Sequence, residues 1–397
     1  MDKRKIGIIV IGVIFLCCVM GAFYKLVLIE ELEDQEGMGS APTDTLRIWY
    51  VDENLSDYVA SVALSFYEET NVRVIPTLIS GLEYLERIYD ASITQVDYPD
   101  LYIASNDMLE KAYLAGIATE ILDAEGLVTT QTYPQSALYA VTYHDKIVGY
   151  PLSFETSVFV YNKTYMVDIA GQLINLEDYE RRLEEDPYAE LMLEAPDESA
   201  VLKRAEEIVP STFSDILMLA NVYDAPTHVE AFFEWDVSDV FYNYFFVGNS
   251  MNIGGVNGDD ITQIEIYNQE AITSLQMYQL MQQFFYIDPE KTTYDALVTK
   301  FIEGKLVFMI AGTDIVHSME AAQRNGSFTY EYEVTILPDI NNNIQAQGMS
   351  VTNAIVINGL SDKQELANEL AAFIAIENSD KLYQMSGEIS ARTDVVY

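Results

Sequence analysis

From residue 46 onward, short apolar runs alternate with stretches whose apolar residues recur every three or four positions. Leu46-Arg47-Ile48-Trp49-Tyr50-Val51 predicts a strand that ends at Asp52-Glu53-Asn54. Asn54 or Ser56 caps the helix that follows, with Asp57 in its first turn. Tyr58, Val59, Val62, Ala63, Phe66 and Tyr67 share one helical face, and Asn71 stops it. A second strand follows over 72–79, and Leu82, Leu85, Ile88 and Tyr89 mark a second amphipathic helix. Pro99-Asp100 opens the strand Leu101-Tyr102-Ile103-Ala104, and Asn106-Asp107 caps a helix that ends at Gly116. This β-α-β-α-β-α order predicts a parallel sheet with helices on its faces. Ligands of such sheets sit beyond the carboxyl ends of the strands. That edge carries Trp49, Tyr50 and Asp52 after the first strand, and Ser105, Asn106 and Asp107 after the third.

The stretch 149–163 is the crossing on which the chain turns. It reads as a strand end, a short polar turn holding Glu155, and a second apolar strand. Pro151 pushes its predecessor towards extended geometry and donates nothing to a ladder. The crossing is expected to join two lobes, with a ligand in their cleft. Beyond it, 176–208 is charged and helical in tendency, and Pro210-Ser211-Thr212 starts another helix. The densest aromatic stretch comes next, from Phe232 through Trp235 to Phe246, and is read as a helix buried on several sides. Asn268 caps a long helix, Phe301–Gly312 reads as helix end, glycine stop and buried strand, and Thr313-Asp314 opens a helix. A strand over 332–337, a return crossing over 348–358 and a helix over 364–376 complete the pattern, without an internal repeat.

Composition narrows the function. A chain of 397 residues is long enough for two lobes. It carries 63 acids against 21 bases, a net charge of −42, which repels nucleic acid and anionic lipid. No Gly-x-Gly-x-x-Gly follows the first strand and no phosphate-binding Gly-Lys-Ser/Thr loop occurs, so neither a dinucleotide nor any other cofactor is expected. The two cysteines, Cys17 and Cys18, are adjacent near the N-terminus, which leaves the body without a disulfide. His144, His228 and His317 show no metal spacing and read as ordinary surface or core histidines. The acid pair in the loop 254–260 does not match a calcium loop.

The N-terminus is an address or an anchor. Three bases, Lys3, Arg4 and Lys5, precede an uncharged run from Ile6 to Tyr24. Roughly 20 apolar residues can span a bilayer, and the flanking bases put the body outside the cell. Residues 1–29 are therefore expected to anchor the chain or to act as its signal, and 30–45 to be a solvated tether.

Four stretches in this order resemble the extracellular solute-binding proteins of the maltose-binding type, the receptors of ABC sugar importers. They are the strand and helix over 46–69, Tyr98–Asp107 with Leu114-Ala115-Gly116 behind it, 149–163 ending in Tyr161-Asn162-Lys163, and Phe301–Gly312. The resemblance covers 46–392 and implies an α/β, periplasmic-binding-protein-like fold, two lobes joined by a hinge. Lobe I would take 46–154 and 349–397, and lobe II 155–348. It implies that Trp49, Asp52, Asp107 and Glu155 contact sugar, with Tyr244 and Asp314 also at contact positions. With Tyr50, Asn106 and Trp235 these form the candidate ligand site. Carboxylates suit vicinal hydroxyls and aromatic rings suit the C–H face of a sugar. Two departures stand out: Ala104 occupies a position that is often a stacking aromatic, and the chain stops at Tyr397, where many relatives continue. The implied partners are a sugar or oligosaccharide, ABC permease subunits and, through the N-terminus, the membrane. The implied protein is not an enzyme. A signalling lobe without transport and a secreted glycosidase using Asp107 and Glu155 are the competing readings.

Overall fold

The computed structural model describes residues 44–123, 126–188, 190, 196–255 and 260–395. The N-terminal anchor or signal and nearly all of the tether lie outside these residues. Among the described residues no helix is long and apolar enough to cross a membrane.

The first strands are parallel and interleaved with helices. They are β1 (Asp44–Tyr50), β2 (Val72–Leu78) and β3 (Leu101–Ser105), alternating with α1 (Ser56–Thr70), α2 (Tyr84–Thr94) and α3 (Asn106–Leu114). α1 buries Tyr58, Val59, Val62, Ala63 and Phe66 along one stripe, and Asn71 ends it in the left-handed region. Asp52 rather than Asn54 or Ser56 makes the cap here. Its side chain accepts from the Asn54 backbone at 2.8 Å and starts a 3-10 turn, Glu53–Leu55, ahead of α1. A short helix, α4 (Gln135–Ala140), and the hairpin β4 (Thr142–Tyr143) and β5 (Lys146–Ile147) lead to the central strand.

That strand, β6 (Tyr150–Asn162), runs thirteen residues without a break. The polar turn expected at Glu155 is absent; Glu155 sits mid-strand. Its neighbours explain this. The first half of β6 pairs with β12 (Ser350–Ile357) over Tyr150–Thr156, and the second half pairs with β10 (Leu306–Gly312) from Ser157 onward. The polar stretch thus has a ladder partner along its whole length, β12 up to Thr156 and β10 from Ser157, which outweighs its turn propensity. Pro151 is accommodated at an irregularity, where the register slips between Asn353 and Ala354. The complete order is β2-β1-β3-β12-β6-β10-β7, with β7 (Ala231–Glu234) parallel to β10 and β11 (Tyr332–Thr335) on β6.

Lobe II is built around the second half of β6. α5 (Lys163–Glu185), α6 (Glu198–Glu207) and α7 (Phe213–Val222) begin at the caps Asn162, Asp197 and Thr212. Thr212 and Asp215 form a reciprocal capping box. A hairpin of β8 (Asn252–Gly254) and β9 (Asp260–Glu265) precedes α8 (Gln269–Phe284), capped by Asn268. α9 (Tyr294–Ile302) feeds β10, and α10 (Ile315–Asn325) follows it. After β12, α11 (Gln364–Ala372) continues into a π-helical turn, Phe373–Glu377, and α12 (Ser379–Ser386).

The aromatic stretch is not a helix. Phe232 and Phe233 lie in β7, in register with β10, and Tyr244–Phe246 form only a 3-10 turn. Aromatic residues favour strands, and a neighbouring buried strand was available. Phe159, Phe213, Phe233, Trp235 and Phe246 pack into one core in lobe II. The lobe I core clusters lie on the other side of β6, around Ile48, Tyr58, Tyr102 and Ile355. Trp235 is fully buried, stacks on Phe233 at 5.1 Å and donates from Nε1 to Asn243 Oδ1 at 2.9 Å. Trp235→Ala should therefore lower stability by about 3–5 kcal/mol, measured as a reduced denaturant midpoint.

Candidate functional site

A cavity of about 320 Å³ opens where β6 passes between the lobes. Its walls come from five places: the end of β1, the middle of β6, Asn353 of β12, the start of α10 and the segment after α12. All but β12 contribute a carboxylate: Asp52, Glu155, Asp314 and Glu388.

Local structure fixes each one. Asp52 is held by its cap on Asn54. Glu155 is fixed by the ladder, opposite Val351 of β12. Asp314 follows the buried strand β10 at the start of α10, and Tyr294 donates its hydroxyl to Asp314 Oδ1 at 2.8 Å. Thr313 anchors this corner, since its backbone donates to Thr156 O at 3.1 Å. Glu388 stands on a segment laid along the free edge of β6. There the Phe154 backbone donates to Ile389 O at 3.0 Å and the Ala391 backbone to Leu152 O at 2.9 Å.

The acids are crowded. A Cβ on Gly312 would lie 2.8 Å from Glu155 Oε1 and closer still to Asp314 Oδ1. Burial pushes the Glu155 carboxyl above its ordinary range, with Asp314 and Asp239 adding like-charge repulsion. Burial also pushes Asp314 up, while hydrogen bonds from Tyr294 and the start of α10 pull it back. Glu388 is pushed up to about 7, chiefly by burial and further by Asp52 and Glu155 beside it, against a hydrogen bond to Ser153. Its Oε2 is buried and has no hydrogen-bond partner among the described residues. Burial and the nearby acids likewise hold the stacked Tyr242 and Tyr294 phenols in their protonated, donating form.

Only part of the expected site is gathered here. Asp52, Glu155 and Asp314 line the cavity. Trp49 and Tyr50 are buried in the lobe I cores, and the Tyr50 hydroxyl meets Ser56 Oγ at 3.3 Å. Asn106 ties α3 to β12 by accepting from the Thr352 backbone at 3.0 Å. Asp107 is exposed, bonded by the Ser105 hydroxyl, and does not line the cavity with Glu155. Tyr244 packs over Gly248, and Trp235 belongs to the core. Sequence reasoning missed Glu388, Ser153, Asn353 and His317, all in the wall. His317 lies against Gly387, so α10 of lobe II meets the segment after α12 here. The signal for Glu388 was its place just after a glycine stop, before the apolar-polar run Ile389-Ser390-Ala391.

A family model described as bacterial extracellular solute-binding protein matches residues 62–396. The chain belongs to that family. It is 23% identical over 373 residues to the galactooligosaccharide-binding protein of Bacillus subtilis (strain 168), covering 90% of this chain and 75% of the relative. Solved structures share the two-lobed fold. A cyclo/maltodextrin-binding protein complexed with maltotetraose superposes with a TM-score of 0.65 at 18% identity, covering 90% of this chain and 81% of that one. An extracellular solute-binding protein from Staphylococcus aureus in complex with maltose gives 0.66 at 19% identity, covering 90% and 83%. In this family member the cavity lies at the crossing between the lobes.

The raised Glu388 has a consequence for stability. The folded protein holds this proton up to about pH 7, whereas the unfolded chain loses it near 4.5. Folded protein therefore binds more protons through that window, and stability falls as pH rises through it, by on the order of 3 kcal/mol. Glu388→Gln should flatten the fall in melting temperature between about pH 5 and pH 7.5; a profile identical to wild type would remove Glu388 as its source.

Proposed function

We propose that this family member captures a carbohydrate between its lobes outside the cell and delivers it to an ABC permease. The observation that carries the reading is the cavity whose wall is shared by both lobes, with Glu155 on the one strand common to them. Its lining is rich in carboxylates, hydroxyls and amides, the groups that accept and donate to sugar hydroxyls. The sugar-binding relatives support the same class of ligand. The N-terminal segment would hold the protein at the outer membrane face.

Capture needs no chemistry. Lobe I supplies Asp52 and Glu388, lobe II supplies Asp314, and Glu155 lies between them. A ligand that touches both lobes is bound better with the lobes together, and that difference alone draws them closed. We divide the chain accordingly at 154/155 and 348/349.

Titration calorimetry with galacto- and maltooligosaccharides and their monosaccharides should give saturable binding, and solution scattering should show a smaller radius of gyration with the bound sugar. Glu155→Ala should weaken that binding at least about tenfold, the scale of one lost charge-assisted hydrogen bond. Unchanged scattering and no heat across the panel would refute the reading.

A further inference from the structure

Besides the shared strand β6, the lobes meet where α10 lies against the end of α12. α10 is rooted in a lobe II core through Ile315, Met319 and Ala322. α12 is rooted in a lobe I core through Leu382. At helical spacing, His317 and Glu320 fall on the face of α10 opposite its core residues.

Tyr383 of α12 sits against that face. Its ring meets His317 edge-on, with centroids 6.2 Å apart. Its hydroxyl is buried and faces the Glu320 carboxylate. Burial, then the hydrogen bond and charge of Glu320, push the phenol well above its ordinary range, so it stays a donor. One turn on, the Gly387 backbone donates to Tyr383 O at 2.8 Å and ends α12 in the left-handed region. A Cβ on Gly387 would lie 2.9 Å from the His317 ring, so glycine lets that ring reach the backbone.

We propose that this contact is a latch: Tyr383 on Glu320, with His317 on Gly387, holds the lobes together before ligand arrives and sets how readily the cleft shuts. This deepens the carbohydrate reading and rests on it for the ligand, but the latch itself can be observed without one.

The position of the contact fixes its sign. His317, Ser386 and Gly387 line the cavity, so the contact lies on the cleft side of β6. Lobes that swing apart about β6 draw α10 away from α12, and lobes that close bring them together. The contact therefore favours the closed arrangement. Tyr383 and Glu320 do not line the cavity, so they act on a ligand only through closure. They are positioning residues. A phenol donating to a carboxylate makes a charge-assisted hydrogen bond, which shifts an equilibrium by about tenfold or more. A protein whose binding-competent state is populated part of the time loses apparent affinity in proportion.

The test compares Tyr383→Phe, Glu320→Ala and the double variant with the wild-type full chain. Solution scattering without ligand should give a larger radius of gyration for each variant. Titration calorimetry with the tightest-binding galacto- or maltooligosaccharide should show affinity weakened by up to about tenfold. The double variant should be no weaker than the worse single one, because both changes remove the same contact. Additive losses would give the two residues separate roles and overturn the latch. So would variants that keep the wild-type radius and affinity, or that bind more tightly. If no sugar binds to the wild type, the carbohydrate reading fails by itself. The ligand-free scattering then decides the latch: a larger radius in the variants supports it, and an unchanged one overturns it.

Discussion

The structure depends on one strand serving two sheets' worth of partners. β6 hydrogen-bonds to β12 through Thr156 and to β10 from Ser157, so the change of partner falls between two adjacent residues. In the first half, Tyr150 and Leu152 belong with a lobe I core, and in the second half Phe159 and Tyr161 belong with one lobe II core and Val160 with another. A strand is stiff along its length, yet it can twist where its ladder changes hands. The cavity sits at that change, which is why side chains from distant parts of the sequence meet there.

The same placement sets the electrostatics. The backbone of Glu155 is held by its ladder pairing with Val351. Asp314 is fixed by the end of a fully buried strand, and Glu388 by a segment bonded along Leu152 and Phe154. Desolvation of these carboxyls, with like charges beside Glu155 and Glu388, raises their affinity for protons. Stability is given up at the site and recovered in the lobe II aromatic core, where Phe213 stacks on Phe245 and Phe246.

Most of the scaffold was legible in the sequence because local signals agreed with tertiary ones. Asn268 before α8 and the glycine stop between α9 and β10 are local features, and both appear where the pattern places them. The aromatic stretch was illegible for the opposite reason. Its partner strand β10 lies some seventy residues away, and no periodicity within Phe232–Phe246 reports that pairing. The site was half legible. Residues at strand ends, such as Asp52 and Asp314, follow from strand order alone. Glu388 and His317 do not, since both reach the cavity through the packing of α10 against the chain after α12. Asp107 and Trp235 lie outside the cavity wall through facts no spacing reveals: one is exposed and the other is enclosed by rings.

Gly312 limits how this protein can diversify. A side chain there would meet the carboxylates of Glu155 and Asp314, so it fits only where those two flexible side chains swing aside. Asn54 and Ser318 line the same cavity from outside its strands, so exchange there would alter what the cleft accepts without moving those acids.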